Sequence, residues 1–371
     1  MTHTGKTRVL IVDDSAIVRD LLEKGLTLDP DIEVVGKASD AFSARDRIVI
    51  LNPDVITLDI EMPRMNGIDF LKKLIPQYPM PVVVVSAVTV EGSRRAIEAL
   101  EAGALDVVAK PSASDRNGFQ AMIADLTEKV KWAAHADVGK FRKTTLARAT
   151  VERKKEIPTM TGQSAAARRL VAIGASTGGT SVFYSIIPQF PRDMPGVVIV
   201  QHMPPVFTRL FAEALDKLSN VEVREAKDGD AIRPGLVLIA PGDYHMTVKK
   251  NGLEWKVACT SGEKVSGHRP SVDMLFRSVA ASAGESAVGV LLTGMGRDGA
   301  DGMLAMRRAG ARCIAQDEQT SVVFGMPKEA RDNGGAEKLV PVQRLTQEIL
   351  YLAESLPKLR TDALLVRGDA I

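Results

Sequence analysis

Two cysteines, five histidines and few aromatic side chains are all that 371 residues contain of the groups from which small stapled or metal-built folds are made. Cys259 and Cys313 stand alone, with no Cys-x-x-Cys and no cysteine–histidine cluster, so neither a disulfide framework nor a structural zinc site is indicated, and a reducing compartment is expected. Long hydrophobic runs are also missing. The first apolar run, residues 9–12, ends at two aspartates and is too short for a signal-peptide core or a membrane span. An excess of one charge is absent too: the formal net charge of +2 argues against a basic nucleic-acid binder and against an acidic disordered tail. The chain is therefore expected to be cytoplasmic, neither inserting into a membrane nor binding nucleic acid; it is also expected to be a monomer.

The length exceeds what one hydrophobic core usually supports, so two domains are expected. From residue 7 to 132, β-branched runs at 9–12, 32–35, 55–58, 82–85 and 105–108 alternate with amphipathic stretches such as 16–28 and 92–101. This rhythm predicts an α/β fold with a doubly wound parallel sheet. It fails over residues 133–165, where Lys140, Arg142, Lys143, Arg148, Arg153, Lys154 and Lys155 crowd a stretch poor in large apolar residues, which reads as a basic linker. It resumes over 166–356, with strands expected at 171–174, 197–200, 221–223, 237–240 and 288–292, so a second doubly wound α/β domain follows. Residues 357–371 read as a loose tail.

Residues just past the carboxyl ends of neighbouring parallel strands converge in one crevice. In the first half these are Asp13 and Asp14, Asp59, Ser86 and Lys110. Three carboxylates that close repel one another unless a cation lies among them, and oxygen ligands suit Mg²⁺. A carboxylate there can attack a phosphoryl donor while the Lys110 ammonium and Ser86 hydroxyl grip the transferred group. This set, with Asp59-x-x-x-Pro63-x-x-x-Gly67 and Lys110-Pro111, resembles the flavodoxin-like receiver domains of two-component response regulators. The resemblance implies that Asp59 is the phosphoacceptor, that Asp13, Asp14, Asp59 and the Glu61 backbone carbonyl bind the metal, and that Ser86 and Lys110 contact the phosphoryl group. Receivers often carry an aromatic switch three residues before the lysine; here that position is Val107, which puts switching by an aromatic side chain in doubt.

In the second half, VAIGASTGG places Ser176 in a glycine-lined turn after an apolar strand and before a helix expected at 180–187. Such a turn exposes a hydroxyl beside unpaired backbone N–H groups, as an acyl-transfer nucleophile requires, although the same turn also cradles phosphates. A serine needs a base, and the base an orienting partner. His202 directly follows the strand at 197–200 and is favoured as base over His245 and His268, which fall on expected loops. Asp298 follows the strand at 288–292 in a glycine-rich turn expected to expose it, with Asp301 as its neighbouring competitor. The order Ser176, His202, Asp298 departs from that of ordinary α/β-hydrolases.

The segments IGASTGG, QHMPP, APGDYHM, HRPSVDMLF and LLTGMGRDGA closely resemble the Rossmann-like catalytic domain of the chemotaxis protein-glutamate methylesterases. That resemblance implies hydrolysis of glutamyl methyl esters, and deamidation of glutamines, on the cytoplasmic helices of chemoreceptors. It implies Ser176 as nucleophile, His202 as base, Asp298 as its partner, and Thr177 and Met295 as contributors to oxyanion binding. A histidine kinase is the implied phosphodonor and Mg²⁺ the implied ion of the receiver, with no cofactor for ester hydrolysis. The unphosphorylated receiver is expected to cover the hydrolytic cleft. A DNA-binding output is disfavoured because no compact helix-turn-helix pattern with a basic recognition helix follows.

Overall fold

The computed structural model describes residues 5–87, 89–111, 116–136, 169–252 and 254–356. Most of the expected linker and all of the expected tail lie outside the described residues. The first half consists of β1 (Thr7–Val12), α1 (Ala16–Leu26), β2 (Ile32–Ala38), α2 (Ala41–Leu51), β3 (Val55–Asp59), α3 (Gly67–Gln77), β4 (Val82–Ala87), α4 (Val90–Glu101), β5 (Asp106–Lys110) and α5 (Arg116–Ala133). All five strands are parallel, in the order β2-β1-β3-β4-β5. Helices cover both faces because the strand residues alternate between two cores: Val9 and Ile11 pack with Leu22, Leu126 and Val130, whereas Leu10 and Val12 pack with Ile48, Leu71 and Ile97. Helix starts are fixed by polar caps. Asp40 accepts from the N–H groups of Phe42 and Ser43, and Thr89 Oγ1 accepts from Gly92 N–H; each cap contributes about 1 kcal/mol.

The second half begins with β6 (Leu170–Ala175), α6 (Gly179–Ile186), β7 (Gly196–Gln201), α7 (Phe207–Asp216), β8 (Glu222–Glu225), β9 (Ala231–Ile232) and β10 (Leu236–Ile239). It continues through β11 (His245–Asn251), β12 (Glu254–Thr260), α8 (Val272–Ser282), β13 (Ala287–Leu291), α9 (Ala300–Arg308), β14 (Arg312–Gln316), α10 (Met326–Asp332), β15 (Lys338–Val340) and α11 (Val342–Ser355). Seven strands form a second parallel sheet in the order β15-β14-β13-β6-β7-β10-β8. The chain enters at β6, builds outward through β7, and returns to β13 on the other side of β6. The strand order therefore reverses at β6, and a crevice opens at the carboxyl ends of β13, β6 and β7, where Asp298, Ser176 and His202 follow.

A three-stranded antiparallel sheet, β11-β12-β9, was not expected from the alternation of strands and helices. It packs its apolar face, Met246, Val248, Trp255 and Val257, on the same core as α8, so His245 begins a strand rather than lying on a loop. No helix among the described residues is long and apolar enough to cross a membrane.

The two halves touch. Helix α4 packs against α6 and α7, and Val322 and Val323 from the loop before α10 join the apolar cluster of β5 and α5, with Met295 packed against it. Val322 also lies over Gly178, where an added Cβ would come within 2.7 Å of the valine Cβ. That glycine has φ of 79°, which side chains rarely tolerate, so the turn after Ser176 requires it on both counts.

Candidate active site and acidic pocket

The carboxyl ends of β1 and β3 bring Asp13 and Asp59 into a buried pocket with the more exposed Asp14. One oxygen from each of the three carboxylates lies within 4.8 Å of the others. Lys110, the last residue of β5, extends Nζ to Asp13 Oδ2 at 2.8 Å and to Asp59 Oδ1 at 3.0 Å. Burial, reinforced by the charge on Asp13 and opposed by Lys110, pushes the Asp59 carboxyl up to about 6. Burial works against the Lys110 ammonium, but Asp59 and Asp13 outweigh it and raise its pKa. Three carboxylates against one ammonium leave excess negative charge in a buried place. Hard oxygen donors in surplus fit a divalent metal ion.

Ser86 is buried and donates its hydroxyl to the Gly92 carbonyl in the first turn of α4, at 3.1 Å. Asp59 Oδ1 accepts from the Ile60 N–H at 2.9 Å, the Glu61 backbone helps to lower the Asp59 pKa, and the Glu61 side chain lies 3.7 Å from Arg95. Val107 is buried, and its carbonyl accepts from Lys129 Nζ at 2.7 Å.

In the second half, Ser176 leaves β6 with its N–H bonded to the Thr293 carbonyl at 3.1 Å, while His202 N–H bonds the Ala175 carbonyl at 3.2 Å. The three strand-end turns are thus tied to one another by backbone. Gln201, which sequence reasoning did not single out, donates Nε2 to the carbonyls of Ser176 at 3.0 Å and His202 at 3.3 Å. Gly294 permits the turn after β13 to come close: a Cβ there would meet Ser176 Cβ at 2.8 Å and Met326 Sδ at 2.3 Å.

His202 Nε2 is 2.8 Å from Asp298 Oδ2. Asp298 is almost fully buried rather than exposed as its glycine-rich surroundings suggest, because its carboxylate plugs the start of α8. It accepts from Ser271 Oγ at 2.7 Å and from the N–H groups of Val272 and Asp273 at 2.7 and 3.0 Å. Burial alone would raise its pKa, but His202 and these donors outweigh burial and hold it below the usual carboxylate range. An ionised carboxylate only accepts, so Nε2 carries a proton, and in the neutral ring Nδ1 is the nitrogen left to accept one. That Nδ1 is buried and has no hydrogen-bond partner, so the Ser176 hydroxyl is not bonded to it in this conformation. Asp301 lies apart, paired with Arg297 at 2.9 Å.

Thr177 and Met295, expected near an oxyanion, are both engaged by the first half. Thr177 Oγ1 donates to Asp106 Oδ2 at 2.8 Å, and Met295 packs on the β5 and α5 cluster. Asp106 Oδ1 is in turn 3.2 Å from Lys129 Nζ, which also lies 3.3 Å from Asp125. Burial disfavours the Lys129 ammonium, yet the two carboxylates overcome it and raise its pKa.

A receiver-type sheet with its acidic pocket, docked on an α/β domain whose crevice gathers a serine, a histidine and an aspartate, defines a response regulator with a hydrolytic output domain. Comparison with known proteins agrees. Residues 171–349 match the CheB methylesterase family model and residues 9–122 the response regulator receiver domain model. The chain is 53% identical to a protein-glutamate methylesterase/protein-glutamine glutaminase of Syntrophotalea carbinolica, over 94% of this chain and 98% of that protein. It is 49% identical to one of Sulfurimonas denitrificans, over 93% of this chain and 98% of that protein. A crystal structure of the Thermotoga maritima CheB methylesterase catalytic domain is 38% identical over 50% of this chain and 98% of its own, with a TM-score of 0.49. The chain belongs to the CheB family of protein-glutamate methylesterase/protein-glutamine glutaminases, response regulators of chemotaxis.

Proposed function

We propose that this chain hydrolyses glutamyl methyl esters, and deamidates glutamines, on the cytoplasmic helices of chemoreceptors, under control of phosphorylation at Asp59 by a histidine kinase. In this reading residues 7–132 are the receiver, 133–165 the linker, 166–356 the catalytic domain and 357–371 a tail, and the chain works in the cytoplasm as a monomer. The observation that carries it is the arrangement of His202, with one ring nitrogen on a caged Asp298, the other buried without a partner, and its backbone N–H bonded to the carbonyl of Ala175, the residue before Ser176. Ser176 Oγ attacks the side-chain carbonyl carbon as His202 Nδ1 takes its proton. The tetrahedral intermediate collapses when the imidazolium returns that proton to the departing methoxide or amide, releasing methanol or ammonia. Water then enters by the same route in reverse and frees the glutamate. Asp298, held ionised, keeps the productive tautomer and stabilises the imidazolium.

The acidic pocket fits Mg²⁺, which Asp13, Asp14, Asp59 and the Glu61 carbonyl would hold; when bound it neutralises charge on a phosphoryl group. The chain's own part is to present the Asp59 carboxylate as acceptor, with Lys110 ready to pair with the new charge. Ser86 is the transmitter in this reading. A phosphoryl group at Asp59 competes with the Gly92 carbonyl for its hydroxyl, and α4 carries the loss to α6 and α7. The Asp106–Thr177 hydrogen bond and the Val322–Val323 contact hold the unphosphorylated receiver over the serine turn. Methanol release from methylated receptor fragments tests the reading. A phosphodonor with Mg²⁺ should raise the rate, Asp59→Asn should abolish that rise, and Ser176→Ala should abolish release; equal activation with and without Asp59 would remove the regulatory part.

A further inference from the structure

The ring of His268 lies flat on the ring of His202, with centroids 3.7 Å apart and planes 13° from parallel. The single Nε2–Asp298 hydrogen bond fixes one atom of the His202 ring and leaves its tilt about that bond free. Its other nitrogen has no partner to fix the tilt. A second ring stacked at van der Waals distance removes that freedom, because tilting would either clash or open a gap beneath the imidazole.

The platform is itself rigidly held. Ser266 and Gly267 have φ of 53° and 81°, and Val265 and His268 exchange both backbone N–H···O bonds, at 3.1 and 3.0 Å, closing a two-residue hairpin turn immediately before the ring. Three residues further on, the same segment supplies Ser271, Val272 and Asp273, the donors that cage Asp298. One stretch of nine residues, 265–273, thus sets both the partner of His202 and the plane of its ring.

The charge state of the platform suits this use. Burial, followed by the neighbouring His202 and assisted by Lys129 and Lys264, outweighs Asp298 and lowers the His268 pKa. A neutral ring offers its π face to the imidazolium that forms as Ser176 is deprotonated, whereas a second cation there would oppose it.

We infer that His268 is a positioning residue: a neutral aromatic platform that holds the His202 imidazole in the plane from which Nδ1 meets the serine hydroxyl. The inference rests on the assignment of Ser176, His202 and Asp298. It requires an aromatic face at position 268 and no exchangeable proton. The full chain, activated with acetyl phosphate and Mg²⁺, should be assayed for methanol release as His268→Phe, His268→Leu and His268→Ala, beside Ser176→Ala. Phe should keep kcat within about threefold, while Leu and Ala lower kcat about ten- to hundredfold and change KM less than about twofold. The pH profile of kcat/KM for Phe should superimpose on that of the parent. Leu supplies volume without a π face, so it separates stacking from filling. Phe as slow as Ala would overturn the platform in favour of a role for the imidazole nitrogens, and Leu as fast as Phe would overturn it in favour of packing. If Ser176→Ala retained activity, the assignment of the site would fall; loss with Ser176→Ala beside unchanged His268 variants would sink the platform alone.

Discussion

Replacing Asp106 by alanine removes a polar contact between the two halves, together with the bond that Asp106 Oδ1 accepts from the Val107 N–H at 2.8 Å. Thr177 Oγ1 donates to Asp106 Oδ2 at 2.8 Å, one residue from the serine and across 71 residues of sequence. A hydrogen bond to a charged acceptor contributes about 1.5–3 kcal/mol net of the water it displaces. If the closed arrangement dominates, losing that amount multiplies the rare open population by about ten- to hundredfold. Lys129 retains Asp125 and the Val107 carbonyl, so the substitution does not strand it unpaired. Basal methanol release by unphosphorylated Asp106→Ala should therefore rise by about that factor, while the rate after full phosphorylation stays within about twofold of the parent. The activation ratio collapses from below. An unchanged basal rate would refute the latch, and an equal rise in both states would move the effect from the domain equilibrium to the chemistry.

Asp298→Asn should lower kcat by about 10⁴-fold with little change in KM, because an amide in the Ser271–Asp273 cage cannot hold His202 with Nδ1 free; retention of a tenth of the activity would contradict the proposed tautomer. Gly294→Ala should cost about 2–4 kcal/mol in urea unfolding and most of the activity, since its Cβ would meet both Ser176 and Met326; a midpoint equal to the parent's would show that the turn can yield. The Asp59 carboxyl, raised to about 6 against an unfolded value near 3.9, binds its proton more tightly folded than unfolded. Its contribution to stability is therefore lost as pH rises from about 4 through 6. Asp59→Asn should be more stable than the parent by about 1–3 kcal/mol at pH 7.5 and about equal to it at pH 4, as measured by denaturant midpoints, and a pH-independent difference would oppose this assignment.

Much of the architecture follows from local pattern. The runs at 9–12, 55–58 and 171–174 are continuous and β-branched because both faces of a parallel sheet are buried, and the polar residues that end them fall at the sheet edge where sites form. The β11–β12 hairpin is harder to read: it alternates, with Asn251-Gly252 at its turn, but Lys250 falls on the apolar face opposite Trp255, which shortens the apolar stripe. Asp298 looks exposed among glycines because the cage that buries it comes from residues 25 to 27 positions earlier. Asp106 and Lys129 carry no local mark at all. Their meaning comes from a domain contact with Thr177, and no spacing within either half encodes it.

The buried serine turn has a consequence for anyone who measures this enzyme with reagents rather than with receptors. Ser176 is only 8% exposed, and Thr177, Gly178 and Met295 beside it are covered by Asp106, Val322 and the β5–α5 cluster. On the reading proposed above, a small serine-directed electrophile meets the same barrier as the protein substrate. Its labelling rate in the unphosphorylated chain should then report how often the halves part, a clock of domain opening even when no substrate is present.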